Sequence, residues 1–367
     1  MSSRIREGLW SVGVSLTAAV IAFAASMAIV AASGHSAASA VETFWDGAFG
    51  GSAQIGGTFS KMVPLCLVAC GWIIAFSARR LNVGFEGQLL IGSAVATAVG
   101  LAIVSLPLPV HLPLAIAAGA IGGAAFAGIA ALLWARRGVN EVISTLLLNL
   151  IAIQFVSWLI RGPLAREGFS IRTDAVEPSA RWPVLLERSP LTWDVVLIPI
   201  AVAGTHLLLR RTVFGFHLRL TGANELTARH AGVDTIRMGA YALLLSGGLA
   251  GIAGSSLVLA SETHSLSDGI SAGYGFEGIV VALLARNSPI GVIPAALLFA
   301  MFRQSGGLLE ARLGIASELV LITQGVVVLL VAGAAFLIER RRSVRVDARE
   351  ASRRPATGDS TLQQPAP

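Results

Sequence analysis

The chain has 367 residues, of which 54% are hydrophobic and 13% are charged. A soluble globular domain carries about twice that share of charged residues. Residues 89–135 contain no Asp, Glu, Lys or Arg, and one membrane-spanning helix needs only about 20 apolar residues. Composition therefore excludes a soluble enzyme, a secreted domain and a disordered chain. It predicts an all-α polytopic membrane protein.

The cations predict the orientation of the chain. The formal net charge is +6, and Lys61 is the only lysine. The arginines form short clusters between apolar runs, as cytoplasmic loops do under the positive-inside rule. A nucleic-acid-binding protein would instead gather them on one basic surface. We therefore expect no nucleic-acid partner, and we expect both termini in the cytoplasm.

Uncharged runs predict about ten membrane-spanning helices, some of them short or broken. Eight runs are assigned as full spans, at about residues 9–33, 62–77, 88–105, 114–134, 142–160, 195–209, 238–260 and 319–338. Two shorter runs, 278–285 and 290–302, are each too short to cross as a straight helix. They fit either two broken half-helices or one re-entrant hairpin, so eight crossings remain open beside ten.

The chain divides into a membrane domain and a tail. Residues 1–338 are predicted to form the transmembrane domain, with a long cytoplasmic loop at 210–237 and an outward loop that carries Glu42 and Asp46. Residues 339–367 are basic and rich in Arg, Ser and Pro, which predicts a disordered cytoplasmic tail.

A short repeat joins the two halves of the sequence. Gly84-Phe85-Glu86-Gly87 recurs as Gly275-Phe276-Glu277-Gly278, and each copy follows one hydrophobic span and opens another. By the predicted orientation, the copies enter the membrane from opposite sides. This pattern predicts an inverted-topology repeat with a broken helix in each half.

The glutamates of the repeat admit two interpretations. An ionised carboxylate beside an apolar span costs several kcal/mol unless it is paired or hydrated. Glu86 and Glu277 could therefore lie beside a solute path. They could also serve as helix caps, or as ion-pair partners of Arg79 and Arg286.

Two further patterns concern helix packing. Glu141, Thr145 and Asn149 recur at intervals of four and so share one helix face, which predicts either a path lining or interhelical hydrogen bonds. Gly247 and Gly251 form a GxxxG pair, which predicts close helix packing.

The long cytoplasmic loop contains a candidate docking element. Glu225 through Ala231 suit a short helix, with Gly222 as the break before it and Gly232 as the break after it. A short helix between glycines on the cytosolic face is typical of a contact with a soluble partner.

This loop resembles the coupling region of ABC importer permeases of the ribose and branched-chain amino acid superfamily. Further stretches resemble the simple-sugar and nucleoside branch of that superfamily, at residues 81–88, 138–145 and 275–285. The resemblance covers roughly residues 60–335. One departure is Arg286 before Asn287, where relatives often have a small residue or glycine.

The resemblance implies the membrane-spanning permease subunit of an importer in the bacterial inner membrane, translocating a nucleoside or simple sugar. It implies three partners: an identical or homologous second permease, a cytosolic ATPase and an extracytoplasmic solute-binding protein. We expect no enzyme activity and no cofactor on this chain, because Lys61 does not belong to an ATP-binding phosphate loop. The alternative is an ion-coupled secondary transporter in which Glu86 and Glu277 carry protons.

Two sets of site residues follow from these motifs. The predicted translocation path is lined by Asn82, Glu86, Gln88, Glu141, Thr145, Asn149 and Glu277. The predicted ATPase coupling residues are Gly222, Asn224, Glu225, Ala228, Arg229 and Gly232.

Overall fold

The computed structural model describes residues 36–103, 106–166 and 171–314, together with residue 325. The predicted spans at 9–33 and 319–338 and the predicted tail at 339–367 lie outside the described residues, as does the end of the span predicted at 88–105. The described helices are α1 (Ala37–Phe49), α2 (Ser52–Ser77), α3 (Phe85–Ala102), α4 (Leu108–Arg137), α5 (Glu141–Arg161), α6 (Leu197–Arg211), α7 (Val213–Ala223), α8 (Glu225–His230), α9 (Thr235–Leu259), α10 (Tyr274–Leu284) and α11 (Val292–Leu313).

Seven helices in these ranges are long and apolar enough to cross a membrane. They are α2 to α5, α6 with the 3-10 turn Trp193–Val196 before it, α9 and α11. The helix α10 has 11 residues and is shorter than a crossing. The prediction of an all-α polytopic membrane protein is confirmed.

Two predictions about individual segments are wrong. The run at 290–302 belongs to α11, which has 22 residues and is long enough to cross. The helix continues through Arg303 and Gln304, which end the apolar run without ending the helix. In the predicted outward loop, residues 37–49 form α1, which packs on α11 through Phe44 and Phe302, with ring centroids 5.0 Å apart.

Glycines bring α3, α4 and α9 into backbone contact. A Cβ atom on Gly251 would lie 2.1 Å from the carbonyl oxygen of Gly119, and one on Gly92 would lie 2.4 Å from the Cα atom of Gly251. A Cβ atom on Gly123 would lie 2.4 Å from the carbonyl oxygen of Gly247. The predicted close packing at Gly247 and Gly251 is confirmed, and the three helices form one tightly packed block.

The helices α3 and α10 both begin beside the middle of α2. Phe85 packs against Gly71, and Gly278 packs against Val68. The helix α10 then runs toward the Ser77 end of α2, where Asn287 accepts a hydrogen bond of 3.1 Å from Trp72.

The helix α3 runs the opposite way. Near its far end, the carbonyl oxygen of Gly100 accepts a hydrogen bond from Glu177, in the segment 171–192. Ser189 of the same segment lies against Gly56, near the start of α2. Two helices that start at one depth and run in opposite directions are the arrangement expected of an inverted repeat.

Candidate functional site

The two copies of Gly-Phe-Glu-Gly meet at the start of α10. Glu86 is 5% exposed, and its Oε1 accepts hydrogen bonds from Ser271 Oγ at 2.5 Å and from the main-chain N–H of Gly273 at 3.0 Å. Its Oε2 accepts from the N–H of Gly275 at 2.8 Å. Glu86 therefore caps the N-terminus of α10, where a negative charge is favoured by the free N–H groups and the helix dipole.

The contact leaves no room for a side chain on Gly275. A Cβ atom there would lie 2.3 Å from the main-chain nitrogen of Glu86. The second copy of the motif needs this glycine so that its backbone can approach the first copy.

Glu277 forms an ion pair with Arg303 of α11. The distance from Arg303 Nε to Glu277 Oε2 is 2.6 Å, and both side chains are largely buried. The same guanidinium also bonds to the carbonyl oxygen of Ala272 and lies 3.8 Å from the ring centroid of Tyr274. The expected partners Arg79 and Arg286 are therefore wrong, because Glu86 is satisfied by hydroxyl and main-chain donors and Glu277 by Arg303.

The start of α3 is held by a pair of buried amides. Asn82 and Gln88 exchange two hydrogen bonds of 2.9 Å. Asn82 also donates to Ser246 Oγ at 2.8 Å and accepts from the N–H of Gly84 at 3.0 Å. These bonds fix the turn that leads from α2 into α3 and tie it to α9.

The polar face of α5 packs on the same turn. Asn149 accepts from the N–H of Gly87 at 2.8 Å and donates to the carbonyl oxygen of Val83 at 2.9 Å. Thr145 Oγ1 accepts from the N–H of Val83 at 3.3 Å. The stripe thus supplies interhelical hydrogen bonds, one of the two interpretations of its spacing.

Glu141 completes the stripe at the Ser77 end of the bundle. It lies 3.5 Å from Arg80, whose guanidinium carbon is 4.3 Å from the ring centroid of Trp134 on α4. The seven predicted path residues thus lie on α5 and at the starts of α3 and α10. We call the start of α3 (82–88) the first break and the start of α10 (271–277) the second break. Whether they line a solute path stays a prediction.

The residue Arg286, which departs from the related motif, adopts a backbone conformation that favours glycine. Its φ is 53° and that of Asn287 is 54°, in the left-handed region where glycine carries no steric cost. A glycine would adopt this conformation without strain, whereas Arg286 adopts it at a steric cost.

The helix α7 packs on the end of α2 and on the start of the connection to α3. A Cβ atom on Gly222 would lie 2.2 Å from the carbonyl oxygen of Ser77 and 3.2 Å from the main-chain nitrogen of Arg79. Leu218 is fully buried in the core. The α7–α8 element therefore contacts the chain immediately before the turn that opens α3.

The predicted short helix is confirmed as α8, with a different break before it. Gly222 lies inside the last turn of α7, and the chain breaks at Asn224, whose Oδ1 accepts from the N–H of Thr227 at 3.0 Å. An Asn side chain supplies the N-cap that ends one helix and starts the next. Gly232, with φ of 80°, ends the element as predicted.

Hydrogen bonds with Thr235 connect an ion pair within α8 to the start of α9. Arg229 lies 2.7 Å from Glu225 and donates to Thr235 Oγ1 at 3.1 Å. Ala228 of α8 is fully buried. Five of the six predicted coupling residues thus cap, pair or seat the α8 segment, while Gly222 fixes its approach to α2.

Arg303, the partner of Glu277, was not among the residues predicted from the sequence. The available signal was that Arg303 directly follows the apolar run 290–302, where an ionised group needs a partner. Its partner Glu277 lies 26 residues away, a separation that no helical periodicity links.

The sequence matches the family described as "Branched-chain amino acid transport system / permease component" over residues 54–332. It is 32% identical over 328 residues to the guanosine ABC transporter permease protein NupP of Bacillus subtilis, covering 87% of this chain and 92% of that protein. It is 34% identical over 300 residues to the glucose ABC transporter permease protein TsgB13 of Haloferax volcanii, covering 79% and 78%.

The nucleoside ABC transporter permease protein NupB of Lactococcus lactis is 28% identical over 348 residues, covering 92% of this chain and 94% of that protein. No solved structure matches the sequence. The match to the family extends over most of the chain and includes both breaks and the α7–α8 element. This chain belongs to the branched-chain amino acid transport system permease family and is the permease subunit of an ABC importer.

Proposed function

We propose that this chain carries a nucleoside or a simple sugar into a bacterial cell, driven by ATP that a separate cytosolic ATPase hydrolyses. The proposal is supported by the relatives described above, which are named as permeases for guanosine, nucleosides and glucose. The few charges on the membrane-spanning helices suit a neutral polar solute.

The single observation that carries the coupling mechanism is the contact between Gly222 and Ser77. An ATPase that holds α8 moves α7 with it, and α7 presses on the last residue of α2. The turn at 78–84 follows directly, and it carries the amides that fix the start of α3. Movement at the cytosolic surface therefore reaches the first break through a backbone contact.

The two faces of α8 support its role as the ATPase seat. Ala228 is buried against the permease, whereas Leu226 is 67% exposed. Leu226 therefore lies on the face of this six-residue helix that is open to a protein partner. With this element in the cytosol, the Ser52 end of α2 faces outward, toward the solute-binding protein. That both termini are cytoplasmic stays a prediction of the arginine pattern.

The second permease is proposed to be a homologous but different chain. Two permeases of Bacillus subtilis resemble this sequence, NupP at 32% and NupQ at 26% identity. Two of Lactococcus lactis do so as well, NupB at 28% and NupC at 25%. This recurrence of one closer and one more distant relative supports a heterodimer, and the solute would pass between the two permeases, beside the breaks.

Co-purification and uptake test the proposal together. Ala228→Pro removes the main-chain donor to Asn224 and costs about 3 kcal/mol in a helix interior, so the ATPase should be lost from the complex. Leu226→Ser should also release it. The matched control Ile171→Ser, an exposed position in the segment beside α3, should retain it.

Uptake is measured in vesicles that hold the assembled transporter and binding protein. Guanosine or glucose should accumulate only when ATP is supplied. Accumulation driven by an ion gradient without the ATPase would instead establish a secondary transporter. Retention of the ATPase by both α8 variants would show that α8 is not the coupling element.

A further inference from the structure

A cleft lined by both polar and apolar residues lies at the Ser52 end of α2 and has no part in the site described above. It has a volume of about 400 Å³, within the range of roughly 300–1,000 Å³ typical of small-molecule sites. The polar side chains that line it come from α2, α11 and the segment after α9: Gln54, Ser60, Lys61, Ser261, Glu262 and Gln304. We call it the Lys61 cleft.

The groups in the Lys61 cleft favour a neutral, hydrogen-bonding molecule. Lys61 donates to Gln304 Oε1, and an ammonium group has three donors, so further donors remain for a ligand. Glu262 is exposed and is found in no ion pair among the described residues. One cation, one carboxylate, amides and hydroxyls together match a solute that bears many hydroxyl and carbonyl groups.

The cleft lies at the outer end of α2 and close to the start of α10. The helix α7 packs at the Ser77 end of α2, and the cleft lies at the other end. Gln304 directly follows Arg303, whose guanidinium holds Glu277 of the second break. A molecule bound to Gln304 therefore contacts the helix that positions the start of α10.

We propose that the Lys61 cleft is the site where the transported solute, a neutral nucleoside or sugar, binds after its release from the binding protein. The inference rests on the proposed function. Lys61 and Gln304 donate to hydroxyl or carbonyl oxygens of the solute, and Glu262 accepts from its hydroxyl groups. The site loads the transporter from the outer side before the breaks rearrange.

The single lysine of the chain permits a direct test. The assembled transporter in lipid nanodiscs is treated with a membrane-impermeant amine-reactive ester, and modification of Lys61 is followed by peptide mass spectrometry. This readout separates Lys61 from the N-terminal amine and from lysines of other subunits. Guanosine or glucose should slow the labelling by the factor 1 + [L]/Kd, which is about tenfold at ten times Kd.

Leucine and guanosine 5′-monophosphate serve as the comparison solutes, and neither should protect Lys61. Protection by the monophosphate but not by guanosine or glucose would overturn the assignment of a neutral solute. Labelling that is unchanged at solute concentrations that saturate uptake would overturn the site, as would a Lys61 that is never labelled.

Variants give a second, independent measurement. Glu262→Gln, in an exposed loop, and Lys61→Met should each raise the KM for uptake about tenfold, with the ATPase still co-purifying. Glu310→Gln, an exposed position on α11, should leave KM unchanged and is the matched control. An unchanged KM in both cleft variants would overturn the site.

The two proposals fail in different ways. Unprotected Lys61 in a transporter that takes up guanosine or glucose would refute the site alone. Absence of ATP-driven uptake of either solute would refute the proposed function.

Discussion

The main-chain N–H of Gly275 donates a hydrogen bond of 2.8 Å to Glu86 Oε2, so the first copy of the repeated motif caps the second. Each half of the sequence thus supplies a group that the other half needs. The carboxylate satisfies three donors at the start of a buried helix, and hydrogen bonds to a charged group contribute about 1.5–3 kcal/mol each. Glu86 is therefore a structural tie between the two breaks.

Glu86→Gln should reduce both stability and transport. An amide keeps one acceptor oxygen but turns its NH₂ group toward a main-chain donor, leaving one buried N–H without an acceptor. That costs about 1–3 kcal/mol, which thermal unfolding of the purified protein in detergent measures. An unfolding temperature equal to that of the parent would contradict the cap, and Glu310→Gln is the control.

Gly222→Ala should uncouple ATP hydrolysis from transport. Its methyl group would lie 2.2 Å from the carbonyl oxygen of Ser77, so α7 must shift away from α2. We expect solute uptake to fall at least about tenfold, which corresponds to about 1.4 kcal/mol, while the ATPase stays bound.

The matched control for this prediction is Gly204→Ala on α6. Among the described residues, no atom outside the local helix lies within 4 Å of the added Cβ position. Alanine favours a helix by about 0.8–1.0 kcal/mol over glycine. Uptake should be unchanged in this variant. Equal uptake by the two variants would mean that the contact with Ser77 transmits nothing.

Asn149→Ala should destabilise the turn at the start of α3. It leaves the N–H of Gly87 and the carbonyl oxygen of Val83 without their side-chain partner. Each unsatisfied buried group costs about 1–3 kcal/mol, so the unfolding temperature should fall clearly. Leu150→Ala, at a neighbouring position that is 63% exposed, should change it little, and a similar loss in both variants would refute the specific role of Asn149.

The segment after α9 should loosen in acid. Burial, together with the nearby Arg181 guanidinium, lowers the pKa of His264. The folded state therefore binds the proton less tightly than the unfolded chain, whose histidine titrates near about 6.5. The stability that depends on neutral His264 is present above that pH and is lost as the pH falls through the folded pKa.

His264→Gln provides the measurement for that effect. The variant should show a smaller fall in unfolding temperature between neutral and acidic pH than the parent does. A parallel fall in both proteins would assign the acid sensitivity to other groups.

Among the described residues, charge-free runs located most of the membrane helices but not their ends. The helix α2 begins at Ser52, ten residues before the predicted span, because Gln54 and Lys61 end an apolar run without breaking a helix. The helix α1 escaped prediction for a related reason, since Glu42 and Asp46 made its segment resemble a loop. Helix continuity depends on backbone hydrogen bonds, which hydropathy does not register.

The site was predictable as a set of residues but not as a set of contacts. The repeated motif and the spacing of Thr145 and Asn149 indicated which positions come together. The pairing of donors and acceptors depends on where along α2 the helices α3 and α10 begin. The periodicity of a sequence does not give that position. Arg303 was consequently missed, and Gly222 was assigned as a break although it is a point of close packing.

The backbone contacts among α3, α4 and α9 restrict where the transport cycle can take place. Helices that meet through glycines have no side-chain rotamers at the contact to rearrange, so small sliding between them brings carbonyl oxygens into collision. These three helices should keep constant mutual distances in every state of the cycle, as paired spin labels would report. We expect opening and closing to occur around this block, at connections outside it such as 260–273 and 285–291, so that the other helices move relative to these three.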